Sequence, residues 1–327
     1  MYSPSTHYFD PLRAAAIAFV ALFGAAPAFA ASFAYVPNQA TGTISVIDTA
    51  RDEVVRTLQG EGKLGKRVRG VVVDHDDKTL FVIDAEGGKV NVIDLATDKL
   101  KKQIAVGHGP EGIGMSPSGD TIAACVEDDN WVTLIDAKSL EVTKHIPIKG
   151  KNPEHCAFSP DGRWLLTSNE NSNDVDVIDL KSGASLGTVK SSGHPRGMAF
   201  LPNTTTVYVA AETADAADVI DVVQRKKIAM IPTATRAAGA TASPDGKFVY
   251  IANGGAGSVS VIDVAANKAI AEIPVGKRPW NMAITHDGKK LYVANGRSNS
   301  VSVIDTNAKK VTKEIAVGEL PWGVNIP

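Results

Sequence analysis

A hydrophobic pair followed by aspartate recurs along this chain at a nearly constant interval, and this recurrence limits the possible folds more than any other feature. The aspartates that end the copies are Asp48, Asp94, Asp136, Asp179, Asp221, Asp263 and Asp305. Their spacings are 46, 42, 43, 42, 42 and 42 residues. A fixed period of this length indicates a repeat architecture, in which each unit buries its hydrophobic faces against its neighbours.

One copy, from Arg278 to Gly318, shows what a unit contains. Four short segments rich in β-formers are separated by polar or glycine-containing turns: Trp280–Thr285, Leu291–Ala294, Ser300–Ile304 and Val311–Val317. Four strands in a unit of this length are typical of a propeller blade. We therefore predict an all-β fold, a seven-bladed β-propeller of four-stranded blades.

The two ends of the chain predict how the ring closes. Phe33–Val36 matches the second strand of the unit, whereas Trp322–Pro327 matches the first strand. We expect the C-terminal strand to join the N-terminal blade as its innermost strand. This arrangement removes free sheet edges, which are a liability in an open β array.

The N-terminus predicts export. Arg13 precedes the apolar run Ala14–Ala26, and Ala28-Phe29-Ala30 supplies the small residues that signal peptidase requires. We assign residues 1–30 to a signal peptide and residues 31–327 to the propeller, and we expect a periplasmic or secreted monomer. The apolar run is shorter than the roughly 20 residues that span a bilayer, so no membrane span is expected after cleavage. The net charge of −2 gives no general attraction to nucleic acid, which is not expected as a partner.

The chain contains two cysteines, Cys125 and Cys156. Each lies at a repeat position that other copies fill with alanine or methionine. We expect two buried thiols, with a single bridge as the alternative. A disulfide framework is excluded by the cysteine count.

Three stretches of the repeat resemble a known family. They are Leu291-Tyr292-Val293-Ala294-Asn295, Ser300-Val301-Ser302-Val303-Ile304-Asp305 and Ser243-Pro244-Asp245-Gly246-Lys247. This repeat sequence resembles the YVTN-repeat β-propellers. In particular it resembles the YncE-like exported propellers, including those associated with pyrroloquinoline-quinone-dependent catabolism. The resemblance spans about residues 33–327 and implies the propeller fold. It also implies one candidate role, as an accessory protein to a quinoprotein dehydrogenase system.

A catalytic or binding group is needed once, whereas a turn is needed in every blade. The seven repeat aspartates are therefore interpreted as turn residues that accept backbone N–H bonds. Functional residues should lie where the copies differ at one position. The position of Trp280 reads, in blade order, Trp322, Arg69, Glu111, Glu154, Arg196, Ala238 and Trp280. The position two residues upstream reads Leu320, Arg67, Gly109, Asn152, His194, Arg236 and Arg278.

These positions predict a ligand-binding site at one mouth of the central channel. Its residues are Arg67, Arg69, Glu111, Glu154, His155, His194, Arg196, Arg236, Arg278, Trp280 and Trp322. Arginine forks suit carboxylate or phosphate groups, and the faces of adjacent Trp280 and Trp322 suit planar rings or sugars. The alternative is a salt-bridge belt that occupies all the charges. The loop Gln59–Lys66 is four residues longer than its counterparts and predicts a mobile flap above the mouth, or else a plain insertion.

These observations favour a non-enzymatic binding or scaffold propeller that holds an anionic small molecule or an envelope protein partner. No catalytic residue, cofactor or metal is assigned, since strand alternation sends His155 and Cys156 to opposite faces and makes them poor co-ligands. A second hypothesis is a lactonase-like hydrolase with Glu154 or His155 as general base. The third is the quinoprotein accessory role implied by the resemblance.

Overall fold

The structure is a computed structural model that describes residues 1–3, 33–62 and 64–327. The predicted signal peptide and its cleavage site lie outside the described residues. Within them, the strands form seven antiparallel sheets in ring order, which confirms the seven-bladed β-propeller. None of the helices in this part of the chain is long and apolar enough to cross a membrane.

Each blade runs from an inner strand at the channel to an outer strand at the rim, in chain order. Blade 1 contains β1 (Phe33–Asn38), β2 (Thr43–Asp48) and β3 (Glu53–Leu58). Blade 2 contains β4 (Val68–Val73), β5 (Thr79–Asp84), β6 (Lys89–Asp94) and β7 (Lys99–Ala105), and blade 3 contains β8 (Pro110–Met115), β9 (Thr121–Val126), β10 (Trp131–Asp136) and β11 (Glu141–Pro147). Blade 4 contains β12 (Pro153–Phe158), β13 (Trp164–Asn169), β14 (Asp174–Asp179) and β15 (Ala184–Lys190). Blade 5 contains β16 (Pro195–Phe200), β17 (Thr206–Ala211), β18 (Ala216–Asp221) and β19 (Lys226–Pro232). Blade 6 contains β20 (Ala237–Ala242), β21 (Phe248–Asn253), β22 (Ser258–Asp263) and β23 (Lys268–Pro274), and blade 7 contains β24 (Pro279–Ile284), β25 (Lys290–Asn295), β26 (Ser300–Asp305) and β27 (Lys310–Ala316). Among the described residues, short 3-10 turns lie at Gly60–Gly62 and Glu212–Ala214.

The burial of the strands explains why the repeat has its pattern. The middle strands of each blade are buried on both faces because neighbouring blades cover them, and they are rich in valine and isoleucine. The outer strands alternate between exposed and covered residues, as at Lys310–Ala316. The repeat aspartates act as predicted: the Asp305 carboxylate accepts the N–H groups of Asn307 at 2.9 Å and Ala308 at 2.8 Å. They are scaffold residues.

The C-terminal segment closes the ring as expected from the sequence. Tyr35 and Asn325 exchange both backbone hydrogen bonds, at 2.8 and 3.0 Å. The Trp322 N–H also donates to the Pro37 carbonyl at 2.9 Å. Residues from the end of the chain thus lie along β1 and supply the inner edge of blade 1.

The expectation of two free thiols is wrong, because Cys125 and Cys156 form a disulfide with their Cα atoms 5.9 Å apart. Cys125 lies on β9 of blade 3 and Cys156 on β12 of blade 4. The Cys156 position is apolar in the other copies, and the Cys125 position is apolar in all of them except blade 4, which carries Ser168. The repeat pattern did not show that these two positions face each other across a blade boundary.

The long loop between β3 and β4 is anchored rather than free along its length. Leu64 is 1% exposed and joins the core between blades 1 and 2. Its carbonyl accepts a hydrogen bond from the Asn91 side chain at 3.0 Å. The extra residues therefore add a packed side chain. The expectation of a mobile flap over the whole of Gln59–Lys66 is wrong at Leu64, which is held in the core.

Candidate functional site

The mouth of the channel is built from two sets of residues at matching places in the blades. The first set is the second residue of each inner strand, which we call the inner-strand position: Arg69, Glu111, Glu154, Arg196, Ala238, Trp280 and, in the C-terminal segment, Trp322. The second set follows the second strand of each blade, and we call it the loop position: Gln39, Ala85, Glu127, Glu170, Glu212, Gly254 and Gly296. The two sets meet because both kinds of loop lie on the same face of the ring.

Below the mouth, the third residue of each inner strand forms a narrow neck. These residues are Gly70, Gly112, His155, Gly197, Gly239, Asn281 and Gly323. A Cβ added to Gly239 would lie 2.3 Å from the Trp280 carbonyl, and one added to Gly112 would lie 2.5 Å from the Glu154 carbonyl. Side chains at most of these positions are excluded because the backbones of adjacent blades approach so closely.

His155 is an exception in the neck, and its ring stacks on that of Trp322. The ring centroids are 5.2 Å apart and the planes differ by 27°. Because His155 belongs to blade 4 and Trp322 to blade 1, this contact bridges the channel. Burial, together with the charge of Arg196, lowers the pKa of His155 to about 4, so the imidazole is neutral at neutral pH. The mouth is therefore a cup with an aromatic floor.

On one side of the cup, Arg69 connects blades 1, 2 and 3. Its guanidinium forms a salt bridge with Glu111 and donates to the Gln39 side chain at 3.2 Å. Glu111 also shares a hydrogen bond with Glu127. Burial and the proximity of the Glu111 carboxylate raise the pKa of Glu127, so Glu127 keeps its proton and is the donor in this pair.

Arg196 lies at the centre of the charged network and contacts three carboxylates. It pairs with Glu154, with Glu170 at 2.7 Å and with Glu212 at 2.9 Å. Glu154 is 1% exposed, and its second carboxylate oxygen is buried without a hydrogen-bond partner. Burial and the neighbouring carboxylates Glu111 and Glu170 raise the pKa of Glu154 well above its ordinary value, against the opposing charge of Arg196.

Glu212 is the counterpart of Arg196, since three guanidinium groups converge on its carboxylate. Besides Arg196, it receives Arg236 at 2.8 Å and Arg278 at 3.0 Å. Burial alone would raise the pKa of Glu212, but the charge of Arg196 and the hydrogen bonds from Arg236 and Arg278 outweigh it and lower the pKa to about 2. Arg236 remains 60% exposed, whereas Arg278 is 13% exposed.

Glu170, His194 and Glu212 have a spacing that could hold a metal ion. The His194 Nδ1 atom lies 3.2 Å from Glu170 and 3.6 Å from Glu212. However, Arg196 already donates to the same oxygen of each carboxylate. A guanidinium supplies the positive charge that these carboxylates require, so the arrangement does not call for a metal.

The structure brings most of the predicted residues together but changes some of their pairings. Arg69 and Glu111 form one salt-bridged group, and Glu154, His194, Arg196, Arg236 and Arg278 form a second through Arg196 and Glu212, in the manner of the belt alternative. Trp322 stacks on His155 instead of pairing with Trp280, and Trp280 lies over Gly296, where a Cβ would be 2.5 Å from its ring. Arg67 is exposed at the mouth. The ligand-binding role of these residues stays a prediction.

Sequence reasoning missed the acidic partners Glu127, Glu170 and Glu212. A signal was present, since the loop position carries glutamate in three consecutive blades and glutamine, alanine or glycine in the other four. Aligning this second position across the repeat would have shown that the arginines have carboxylates within reach.

Comparisons with known protein families give two partial matches. Residues 179–318 match the lactonase family, described as a 7-bladed β-propeller. Residues 26–184 match a domain of unknown function, DUF7165. Each match covers less than half of the chain.

Individual proteins extend the picture. Protein NirF of Stutzerimonas stutzeri is 28% identical over 112 residues, which are 34% of this chain and 28% of NirF. Three solved structures share the fold. A chain of Kuenenia stuttgartiensis hydrazine synthase has a TM-score of 0.71 and 20% sequence identity, and the match covers 78% of this chain and 88% of that chain. A functionally unknown protein from Desulfotomaculum acetoxidans has a TM-score of 0.78 and 16% identity, over 90% of this chain and 98% of that chain. The dihydro-heme d1 dehydrogenase NirN in complex with DHE has a TM-score of 0.66 and 16% identity, over 91% of this chain and 76% of that chain.

Proposed function

We propose that this protein is an exported, non-enzymatic binding propeller that holds a flat ligand bearing carboxylate groups at the channel mouth. The observation that carries the proposal is the convergence of Arg196, Arg236 and Arg278 on the single carboxylate of Glu212. This convergence supports Arg236 and Arg278 as the groups that bind the proposed anionic ligand.

The guanidinium groups at this place carry more positive charge than their carboxylate partners neutralise. Arg196 also pairs with Glu170 at 2.7 Å, so its charge is neutralised on the side of blade 4, where the raised pKa of Glu154 leaves that group less available as a negative charge. Arg236 and Arg278 have Glu212 in common, and one carboxylate cannot neutralise two guanidinium groups. Because guanidinium forks bind carboxylates with two parallel hydrogen bonds, an incoming carboxylate would complete the set.

The surroundings of these arginines favour a flat ligand. Blades 6 and 7 carry Gly254 and Gly296 at the loop position, where blades 3 to 5 carry glutamate. Trp280 lies against Gly296 and is half-buried, and the aromatic face of an indole suits a planar ring. NirN, which shares the fold, is a dihydro-heme d1 dehydrogenase solved in complex with DHE, and a heme-type ligand, a flat macrocycle with carboxylate groups, is one member of this class.

Two observations support export. The first 30 residues have the composition of a signal peptide. The disulfide between Cys125 and Cys156 is of the kind that persists in oxidising compartments such as the periplasm.

A lactonase-like hydrolase is the second candidate, favoured by the family match over residues 179–318 and by the neutral imidazole of His155. The geometry supports it less well. Glu154 is almost completely buried and held by Arg196, and His155 is covered by Trp322, so neither group is placed to reach a substrate from the mouth. If the protein is instead an accessory to a quinoprotein dehydrogenase, the same channel mouth would bind the carboxylate groups of a quinone.

The test is a titration of tryptophan fluorescence with deuteroporphyrin and with pyrroloquinoline quinone, both planar polycarboxylates. Citrate serves as a carboxylate without a ring. We expect Arg278→Ala to weaken binding about 10- to 100-fold, since a largely buried charged hydrogen bond is lost, and the exposed Arg236→Ala to weaken it less. Glu212 keeps Arg196 in both variants, so the melting temperature should stay near that of the wild type.

The control is Arg225→Ala, which removes an exposed arginine from the outer rim and should leave binding unchanged. If no planar carboxylate alters the fluorescence while Arg278→Ala lowers the melting temperature sharply, the network is a structural belt. Hydrolysis of 6-phosphogluconolactone that is lost in His155→Ala would favour the lactonase candidate instead.

A further inference from the structure

The outer rim of the propeller carries exposed apolar residues at one register in three adjacent blades. The third residue of the outer strand is Leu186 in blade 4, Ile228 in blade 5 and Ile270 in blade 6, with 37, 54 and 47% of each residue exposed. The corresponding residues of blades 2, 3 and 7 are Lys101, Thr143 and Thr312. The repeat therefore tolerates polar residues here. Apolar ones occupy this register in the adjacent blades 4 to 6 and, separately, in blade 1, where Val55 is 40% exposed.

Blade 5 extends this patch further. Met230, two residues beyond Ile228 on β19, is 53% exposed, and Val223 in the preceding turn is 61% exposed. Arg225 in the same turn donates to the Leu186 carbonyl at 2.9 Å, which joins the blade 5 turn to the blade 4 outer strand. Single exposed apolar residues are common on protein surfaces, but a contiguous patch of them indicates an interaction site.

β19 is also the outermost strand of its sheet, so its outer backbone edge has no partner strand in the described part of the chain. Proteins protect such edges with charged or β-breaking residues. In β19 these lie towards the ends, at Lys226, Lys227 and Pro232, and the centre carries Ile228 and Met230. In blade 7 the equivalent central residues are Thr312 and Glu314.

The charges around the patch indicate what can cover it. Its exposed cations are Lys181, Arg225, Lys226 and Lys268, whereas the exposed Lys190 is paired with Asp174 at 3.2 Å. The nearby acidic residue Glu272 is engaged by the Ser258 hydroxyl at 2.6 Å. A second copy of this chain would bring another basic rim against this one, which like-charge repulsion disfavours.

We propose that β19 and the apolar residues Leu186, Val223, Ile228, Met230 and Ile270 form a docking surface for an extended segment of a partner protein. The segment adds a strand to the edge of blade 5, with apolar residues at alternate positions and aspartate or glutamate at its ends. Main-chain hydrogen bonds then provide affinity, and the apolar and acidic side chains provide specificity. This surface is on the rim and is independent of the ligand proposed at the mouth.

The probe is a fluorescein-labelled nonapeptide with a Val-Thr-Ile-Thr-Val core and two acidic residues at each end. Binding is measured by anisotropy, beside a peptide with the same core and lysine ends. We expect the acidic peptide to bind the wild type, and the double variant Ile228→Thr with Met230→Glu to bind it at least tenfold more weakly. This variant copies the residues of blade 7, so it should fold with an unchanged melting temperature.

Thr312→Ala, at the matching register of blade 7, is the control and should bind the acidic peptide as the wild type does. Equal binding of the lysine peptide would overturn the proposed acidic partner, and absence of binding by either peptide at millimolar concentration would overturn the docking edge. Sedimentation that shows a dimer of the wild type, lost in the double variant, would identify a second copy as the occupant and also overturn the proposal.

Discussion

The Glu111–Glu127 pair shows how burial determines charge at the scale of single residues. Two carboxyl groups that share a hydrogen bond cannot both be ionised at close range, so one of them keeps a proton. Arg69 lies against Glu111 and selects that residue as the charged partner. The mouth therefore carries less negative charge than its glutamates would give in water, which favours the proposed anionic ligand.

This pair predicts a pH dependence of stability. Burial and Glu111 raise the pKa of Glu127 from 4.5 to about 10. The folded state thus holds a proton that the unfolded state releases, so this contribution to stability is complete below about pH 4.5 and is lost as the pH rises towards 10. The loss is at most about 1.4 kcal/mol per pH unit. Glu127→Gln keeps a donor for Glu111 but does not titrate.

We therefore expect urea unfolding between pH 5 and 9 to show a smaller decline of the unfolding free energy in Glu127→Gln than in the wild type. Some decline should remain, because the pKa of Glu154 is also raised. The control is Glu86→Gln, an exposed acid in the equivalent loop of blade 2. Parallel declines in the wild type and Glu127→Gln would show that Glu127 is ionised in the folded protein.

Residue-level prediction from the sequence succeeded where a position could be compared with its six equivalents. The repeat aspartates were identified as turn residues because every blade has one. The mouth residues were selected because they vary, and their ligand-binding role stays a prediction. The actual partners could not be deduced, because a contact such as Arg278 with Glu212 depends on how far a side chain reaches across blades 66 residues apart in sequence. The same limit applied to Trp322, whose partner lies across the ring.

At the scale of strands, the disulfide connects β9 to β12 and lies next to the floor of the cup. Cys156 follows His155 directly on β12, and the two side chains point to opposite faces, as strand alternation requires. The bond therefore fixes the boundary between blades 3 and 4 where Glu154 and His155 enter the mouth.

Replacing both cysteines, as Cys125→Ala with Cys156→Ala, should lower the unfolding free energy. A bridge between residues 31 apart limits the unfolded chain and is worth about 3 to 4 kcal/mol on the chain-entropy account. Urea unfolding of the oxidised wild type and the variant measures the difference. Reductant should weaken the wild type and leave the variant unchanged; an equal response of both would show that the bridge contributes nothing.

Strand prediction was accurate in this chain because the hydrophobic alternation repeats seven times and each copy reinforces the others. Features found in one copy were harder to predict. The buried position of Leu64 in the long loop is one example, since no equivalent loop exists in the other blades for comparison. Pairing between cysteines on different blades is another, because the period places residues within a blade but does not state which faces meet.

At the scale of the whole molecule, stability depends on the closure of the ring. β1 has hydrogen bonds to the C-terminal segment on its inner edge, and Ala34 and Val36 on β1 are fully buried. Without this segment, blade 1 loses its inner strand, and Trp322 no longer covers His155. The number of blades followed directly from the period, whereas the bridged channel depended on side chains that only the folded ring brings together.

Removing residues 321–327 should therefore destabilise the whole propeller, by on the order of 4 kcal/mol or more, because buried apolar surface and ladder hydrogen bonds are lost together. Thermal unfolding followed by circular dichroism, with size-exclusion chromatography for aggregation, measures the effect. Glu319→Ala, which alters an exposed side chain before the closing segment, is the control and should melt like the wild type. A truncated chain with the wild-type melting temperature would contradict the closure scheme.

The pairing of Tyr35 with Asn325 bears on which blade the sequence has to begin with. Antiparallel pairing continued by two residues places Pro327 opposite Phe33, so the end of the chain returns to the start of β1. Elsewhere in the ring a short turn such as Ser243–Lys247 joins an inner strand to the second strand at this place. A similar turn between Pro327 and Phe33 would make the backbone circular. The fold is therefore cyclic although the polypeptide is linear, and a circularly permuted chain that begins at another blade encodes the same ring.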